Sequence, residues 1–526
     1  MVWHEETEFE GNGHEFFLFE DHTASWVDSF ITALDKGGPV LSSAPAEVLD
    51  HLRACRPHQM RERAWLVMYY SIILSMVSSS DPTNQSTKRK LRYNLWLALN
   101  DPRLFLEPSE ANIQALTMLA CHVEEFTTPT LCWMLATTAC RMLQALGVNH
   151  RRLDPQTRER RVMMFWHLNL LDKALALIFG RPPTFHRAMS REIPLPTLAQ
   201  LLSSQAQHNP TKAPRLFETH HFYQKLFLTR IMADIWNCLY EDAAPDHSRI
   251  EVVNQELESW YRQALQLLEA AALAEKPFLD ARNAASIDLE LHSLSFMYEY
   301  LRILLARSSS HMRTQCIESS KRMLHLLEHM VSESGELYNG IDWQLLCGSF
   351  TPFLELFGEI VSNGKGGSQE TQDALAAMEQ LPVFLGKMSS RNSLAAKLER
   401  IAVVFVQHAK SLMHPQGMLF IFAPWTSQQA TNHTFWAEDQ ASNDAIDSRI
   451  PAAAWPDPWQ SAGNMLHWDA FFTHAIAPAI SGQPQVHENS VQTADLETWT
   501  SNFFGDAVFD WMGWDSQDFD FNLDGT

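Results

Sequence analysis

The stretch PQTRERRVMMFWHLNLLDKALALIFGRPP, residues 155–183, decides the fold class. Met164, Leu168, Leu171, Leu175 and Ile178 recur at steps of four, three, four and three. That is the period of one helical stripe, not of a strand. Val162, Phe165, Trp166 and Ala176 add a second apolar face, and a helix apolar on most sides is expected at the centre of a body. Asp154-Pro155 opens it. Gly180 followed by Pro182-Pro183 closes it, a glycine end signal backed by residues that cannot continue a helix.

Outward from this stretch, one helical pattern follows another between residues 21 and 425, with few strand signals. The patterns predict helices near 24–35, 44–54, 60–78, 86–99, 109–123, 129–146, 156–179, 215–241, 247–274, 285–307, 312–333, 342–362, 370–386 and 391–413. The expected fold is all-α, a large multi-helix body over 21–425. Residues 1–20 are acidic with Gly11 and Gly13 and read as disordered. Beyond 425 the periodicity collapses into a Pro/Gln/Ser/Ala-rich stretch, read as a linker over 426–490. The last segment, 491–526, reads as an acidic–aromatic tail.

Bulk composition bounds the function. Apolar residues make up 46% of 526, enough for a sizeable core. The formal net charge of −22 repels phosphate backbones and acidic lipid. Lys88-Arg-Lys90 with Arg92, Arg151-Arg152, and Arg158 with Arg160-Arg161 are short clusters beginning or preceding helices, read first as solvated faces. Seven scattered cysteines without CxxC spacing point to reduced, mostly buried thiols of the cytosol or nucleus. No secretory signal is visible at the N-terminus. The longest apolar run, Ala64 to Val77, is too short to span a bilayer, so no membrane is expected.

Catalytic signatures are absent from the sequence: there is no GxSxG, HExxH, GxxxxGK[ST], or GxGxxG entering a helix. Gly364-Lys-Gly-Gly367 lacks a preceding strand, and Cys121-His122 diverge on a helix, so neither predicts a phosphate or metal site. Asp172 lies among Leu171, Leu175 and Ile178. A carboxylate there must be paired or hydrogen-bonded. With no His or second acid at helical spacing, it is expected to tie the helix to a neighbouring segment. Arg181 is its candidate partner if the chain folds back after Gly180.

Read as one block, residues 129–196 resemble the middle homology region of fungal binuclear-zinc-cluster transcription factors. Cys132 to His150 looks like that family's helix ending in a Leu-Gly-Leu-His turn, and Asn112 to Ala120 resembles the helix before it. Arg160-Arg161 with Phe165-Trp166 matches its arginines-then-Phe-Trp step. Leu171-Asp172-Lys173 stands where the family has Leu/Met-Asp-Arg. Gly180-Arg181-Pro182 matches Gly-Arg-Pro, and Ile193-Pro194-Leu195-Pro196 the closing step. Lys173 replaces the usual Arg, and Val148-Asn149 the usual Leu before His150. The resemblance implies a helical regulatory domain and a nuclear transcription regulator, with Arg160, Arg161, Phe165, Trp166, Asp172, Gly180, Arg181 and Pro182 as its signature.

That family also carries a six-cysteine zinc module that contacts DNA. No cysteine precedes Cys55 here and the first fifty residues are acidic, so no zinc or other cofactor is expected in this chain. DNA is expected to be bound only weakly, or through a partner or a missing N-terminal module. A homo- or heterodimer is compatible with this reading. The alternative is a helical interaction or ligand-sensing protein acting through a partner transcription factor.

The tail supplies the remaining functional signal. Ile450 to Thr526 holds eleven Asp/Glu and no Lys or Arg, and its final thirty-two residues carry Trp499, Phe503, Phe504, Phe509, Trp511, Trp514, Phe519 and Phe521. Acids interleaved with rings form the composition of a disordered activation segment. Phe509, Trp511, Trp514, Phe519 and Phe521 are its candidate anchors for a transcription coactivator or the general transcription machinery.

Overall fold

A computed structural model of the chain describes residues 15–36, 41–80, 84–122, 129–148, 150–208, 215–241, 247–330, 342–363, 368–389 and 393–413. The linker and tail at 426–526 lie outside the described residues. The described part is all-α, with no β-strand in it. The first helices are α1 (Thr23–Lys36), α2 (Ala46–Arg53), α3 (Arg63–Ser80), α4 (Gln85–Leu99), α5 (Arg103–Leu106), α6 (Glu110–His122), α7 (Pro129–Leu146) and α8 (Pro155–Phe179). There follow α9 (Arg187–Glu192), α10 (Leu198–His208), α11 (Leu216–Trp236), α12 (His247–Glu275), α13 (Ala281–Ala306) and α14 (Arg313–Leu326). The last are α15 (Asp342–Gly348), α16 (Phe350–Asn363), α17 (Gln369–Met378), α18 (Gln380–Met388) and α19 (Ser393–Met413).

Two apolar cores share these helices. The first runs from Trp26 to Ile193 and takes in Leu226 of α11; the second is built mainly from α11 to α19. α8 serves both. Met164, Phe165, Trp166, Leu168, Leu175 and Phe179 enter the first core, while Ala176 and Leu177 enter the second. Ile178, Cys347 and Leu394 pack against both, marking the seam. This is why α8 is apolar on most sides: from Met163 to Phe179 none of its side chains is exposed. By length and composition α8 and the span Leu345–Asn363 are able to cross a membrane, but two-thirds of each window, 67%, is buried within the body.

Two predicted helices are broken in the structure. The 342–362 pattern parts between Gly348 and Phe350, and the 370–386 pattern at Glu379. Each break precedes a proline in the first turn of the next helix, Pro352 in α16 and Pro382 in α18. A proline ring collides with the carbonyl four residues back and offers it no donor, which ends the preceding ladder. The N-terminal boundary also differs. Phe17, read as part of a loose segment, exchanges two 2.8 Å backbone hydrogen bonds with the buried Asn94 amide of α4.

Candidate functional site

The signature residues gather on α8 and the loop that doubles back beneath it. Asp154 caps the helix, accepting from the Thr157 amide at 2.9 Å, and Pro155 occupies the first turn, where no donor is needed. At the other end Gly180 adopts a left-handed conformation, φ 62° and ψ 28°. The Arg181 amide returns to the Ala176 carbonyl at 3.1 Å, closing the helix end. No atom crowds Gly180, so its glycine answers a backbone demand, not a packing one.

The turn aims the chain back at Asp172. Oδ1 of Asp172 accepts the Thr184 amide at 2.8 Å, and Oδ2 accepts the Phe185 amide at 3.0 Å. Lys173 Nζ donates to Asp172 Oδ2 at 3.1 Å and to the Phe185 carbonyl at 2.7 Å. Asp172 is 6% exposed and Lys173 2%. Two charges out of water cost several kcal/mol each unless paired and hydrogen-bonded, and here each answers the other while both hold the loop backbone. Burial, with Asp172 close by, pushes the neighbouring Cys140 thiol well above its ordinary range.

The rest of the signature extends the clamp in both directions. Phe165 packs on Phe185, ring centroids 4.9 Å apart. Trp166 Nε1 donates to the Pro194 carbonyl at 2.9 Å, so the Ile193–Pro196 step docks on the indole. Asn169 Nδ2 reaches Ser190 Oγ at 3.1 Å. Toward the start of α8, Arg161 donates to Glu110 Oε1 at 3.0 Å and to the Leu146 and Gly147 carbonyls at 2.6 and 3.1 Å. One guanidinium thereby joins the first residue of α6 to the open end of α7, whose last carbonyls lack helical donors. Arg160 shares Glu110 at 3.4 Å.

One expectation is corrected. Arg181 does not partner Asp172; its guanidinium lies over the Trp133 ring of α7, 4.6 Å from the centroid. Asp172 instead uses the adjacent Lys173. Neighbouring helical residues diverge by about a third of a turn, so helical spacing gave no sign of this pair; the flexible four-carbon lysine stem bridges the gap. Pro182 is exposed and serves the turn. The five tail rings, Phe509 to Phe521, lie outside the described residues.

Sequence reading also missed a polar cluster in the second core. His221 of α11 lies 3.0 Å from Glu290 Oε2 of α13, which Lys225 approaches to 3.4 Å. Burial pushes the His221 imidazole down to about 3, so it is neutral at pH 7 and donates from Nδ1 to the carboxylate. None of the seven cysteines is joined in a disulfide. Among the described residues no group of three or more His, Cys, Asp or Glu side chains is placed to hold a metal. The Asp172 carboxylate accepts three hydrogen bonds, all from donors of its own chain.

Comparison with known proteins fits this geometry. The fungal specific transcription factor domain matches residues 56–263, a span that encloses α8, its return loop and the Glu110–Arg161 tie. A transcriptional regulator of Claviceps purpurea is 42% identical over 408 residues, covering 76% of this chain and 66% of that protein. The chain belongs to the fungal-specific transcription factor family. Two uncharacterized transcriptional regulatory proteins of Schizosaccharomyces pombe are 24% and 21% identical over 374 and 372 residues, each covering 66% of this chain. The chain spans 57% and 60% of those two proteins. Family membership thus rests on the region that the clamp organises.

Proposed function

We propose that this chain is a nuclear transcription regulator that controls a metabolic or biosynthetic gene set, with residues 491–526 as an activating tail. The body over 21–425 acts as the regulatory domain and 426–490 as the tether. Family membership supports the regulator; the tail composition supports activation. The carrying observation is the set of eight large rings among acids in the final thirty-two residues, with no Lys or Arg. Acids supply solubility and long-range attraction to a basic coactivator surface. Rings supply burial, about 25 cal/mol per Å² of apolar area removed from water, less the cost of ordering the segment.

A regulator fits better than an enzyme, because the one buried carboxylate of the signature is engaged by its own loop. The arginines of the third basic cluster favour contact with DNA through a partner or another module over direct contact: Arg161 and Arg160 pair with Glu110, and Arg158 donates to the Arg151 and Leu153 carbonyls at 3.1 Å. Fused to a heterologous DNA-binding domain, residues 496–524 are expected to activate a reporter. Replacing Phe509, Trp511, Trp514, Phe519 and Phe521 by Ala abolishes that output. Replacing Asp506, Asp510, Asp515 and Asp518 by Asn only weakens it. A ring-less tail that activates like the native one refutes the proposal.

A further inference from the structure

The last helical hairpin carries a face that the body leaves open. On α18, Val383 is 57% exposed; on α19, Val403 and Val404 are 36% and 40% exposed. Two contacts set the antiparallel register of the pair. Gly386 faces the Glu399 carboxylate, and Lys410 Nζ meets Glu379 at 2.6 Å. That register puts Val383 level with Val403. Val403 stands seven residues before Lys410, and Val383 four after Glu379, so the helical repeat brings both to the side where the ion pair crosses. Val404, next along α19 and 40% exposed, borders that side.

Cations surround them. Lys387 follows Val383 by four residues, and Lys397 and Arg400 precede Val404 by seven and four, all exposed. Residues 380–413 hold Lys387, Arg391, Lys397, Arg400 and Lys410 against Glu399 alone, in a chain of net charge −22. Glu399 is turned toward Gly386, and Glu379, at the foot of α18, is answered by Lys410. An apolar centre with a basic rim selects an occupant that is apolar and acidic.

We propose that this face docks the chain's own acidic–aromatic tail, residues 495–526. The tail holds the complementary pattern, rings at 499, 503, 504, 509, 511, 514, 519 and 521 among Asp495, Glu497, Asp506, Asp510, Asp515, Asp518, Asp520 and Asp524. It is tethered to the same hairpin: α19 ends at Met413, and residues 414–494 supply ample chain to return over it, at up to about 3.3 Å per residue. Tethering turns the contact into an intramolecular event with a high effective concentration, so a small patch suffices. The apolar run Met418–Trp425 is the other nearby candidate, but it is uncharged and leaves the basic rim unanswered. Docking covers the rings that a coactivator needs, so the docked and the coactivator-bound tail exclude one another. That consequence rests on the activation reading; the docking itself does not.

A zero-length carbodiimide, which joins lysine amines to carboxylates as amides, tests it on the full chain at about 1 μM and about 50 mM salt, a regime of weak screening. Peptide mapping is expected to join Lys387, Lys397 or Lys410 to carboxylates between Asp506 and Asp524. About tenfold fewer links are expected at about 0.5 M salt, where the Debye length shrinks to a few ångströms. Val403→Asp with Val404→Asp, and separately Arg400→Glu, are expected to remove most of them while the helical circular dichroism stays unchanged. Tail carboxylates that link no lysine, or link all surface lysines alike, overturn the proposal. So do links that join isotope-labelled to unlabelled chains, which assign the face to a second copy. The reporter assay fails or succeeds independently of these links.

Discussion

The two cores use charge in opposite ways. In the first, Asp172 and Lys173 are both taken out of water and both grip a backbone, so the pair fixes where residues 184–194 run. In the second, the acid is buried and the cation reaches in from the rim. Arg322 meets the buried Glu299 at 2.7 Å, and Arg313 meets the buried Glu355 at 2.5 Å and the partly exposed Glu359 at 3.0 Å. Arg322 is 48% and Arg313 37% exposed at the side chain. These bridges staple α14 to α13 and to α16 without organising a loop. A fully buried pair must be kept intact because losing one partner strands the other. Losing a half-exposed cation costs less than breaking a fully buried pair, because water enters where it stood and reaches the acid left behind.

The largest expected effect breaks the helix that both cores share. Leu175 is buried in the first core, and Leu175→Asp puts an unpaired charge there. The cost should exceed about 3 kcal/mol, read as aggregation or a collapsed thermal melt. A parent-like melt removes α8 from the centre of the account. Next comes the His221–Glu290 pair. An unfolded imidazole takes a proton near pH 6.5, whereas burial holds the folded one neutral down to about 3. Stability is therefore lost as pH falls through that window, by about 2 kcal/mol from pH 6.5 to 5 on this group alone. Melts of the parent and His221→Gln at the two pH values isolate it; equal losses refute it. The smallest effect is Arg322→Ala, about 1 kcal/mol after allowance for its exposure, and smaller at high salt. A loss matching that of Leu175→Asp erases the contrast between the cores.

Much of the fold was legible because helical periodicity is local. α1, α7, α8 and α12 fall within two residues of the predicted spans. Three helices escaped. α5 and α9 are only 4 and 6 residues long, too short to show a stripe. α10 sits in a Gln/Ser-rich stretch whose polarity masks its leucines. The breaks before Pro352 and Pro382 were readable from the prolines themselves, but the apolar pattern runs through both. The clamp was half legible. A carboxylate amid leucines signals a buried tie, and its direction, back to the loop after Gly180, follows from the glycine. The identity of the cation does not, since Lys173 lies next to Asp172 in sequence and Arg181 was nearer the loop. His221 gave no sign at all, because what makes it unusual is burial beside Glu290 of α13, 69 residues downstream.

We propose that Asp172 and Lys173 act as a structural clamp, holding the return loop by its backbone at Thr184 and Phe185. A double-mutant cycle of thermal or denaturant melts with Asp172→Ala, Lys173→Met and the pair tests it most directly. Each single change is expected to cost about 3–5 kcal/mol by stranding a buried charge. The double variant should cost clearly less than the sum, because no charge is left unpaired. Single variants that melt like the parent while losing regulatory output would contradict the account and make Asp172 a binding residue.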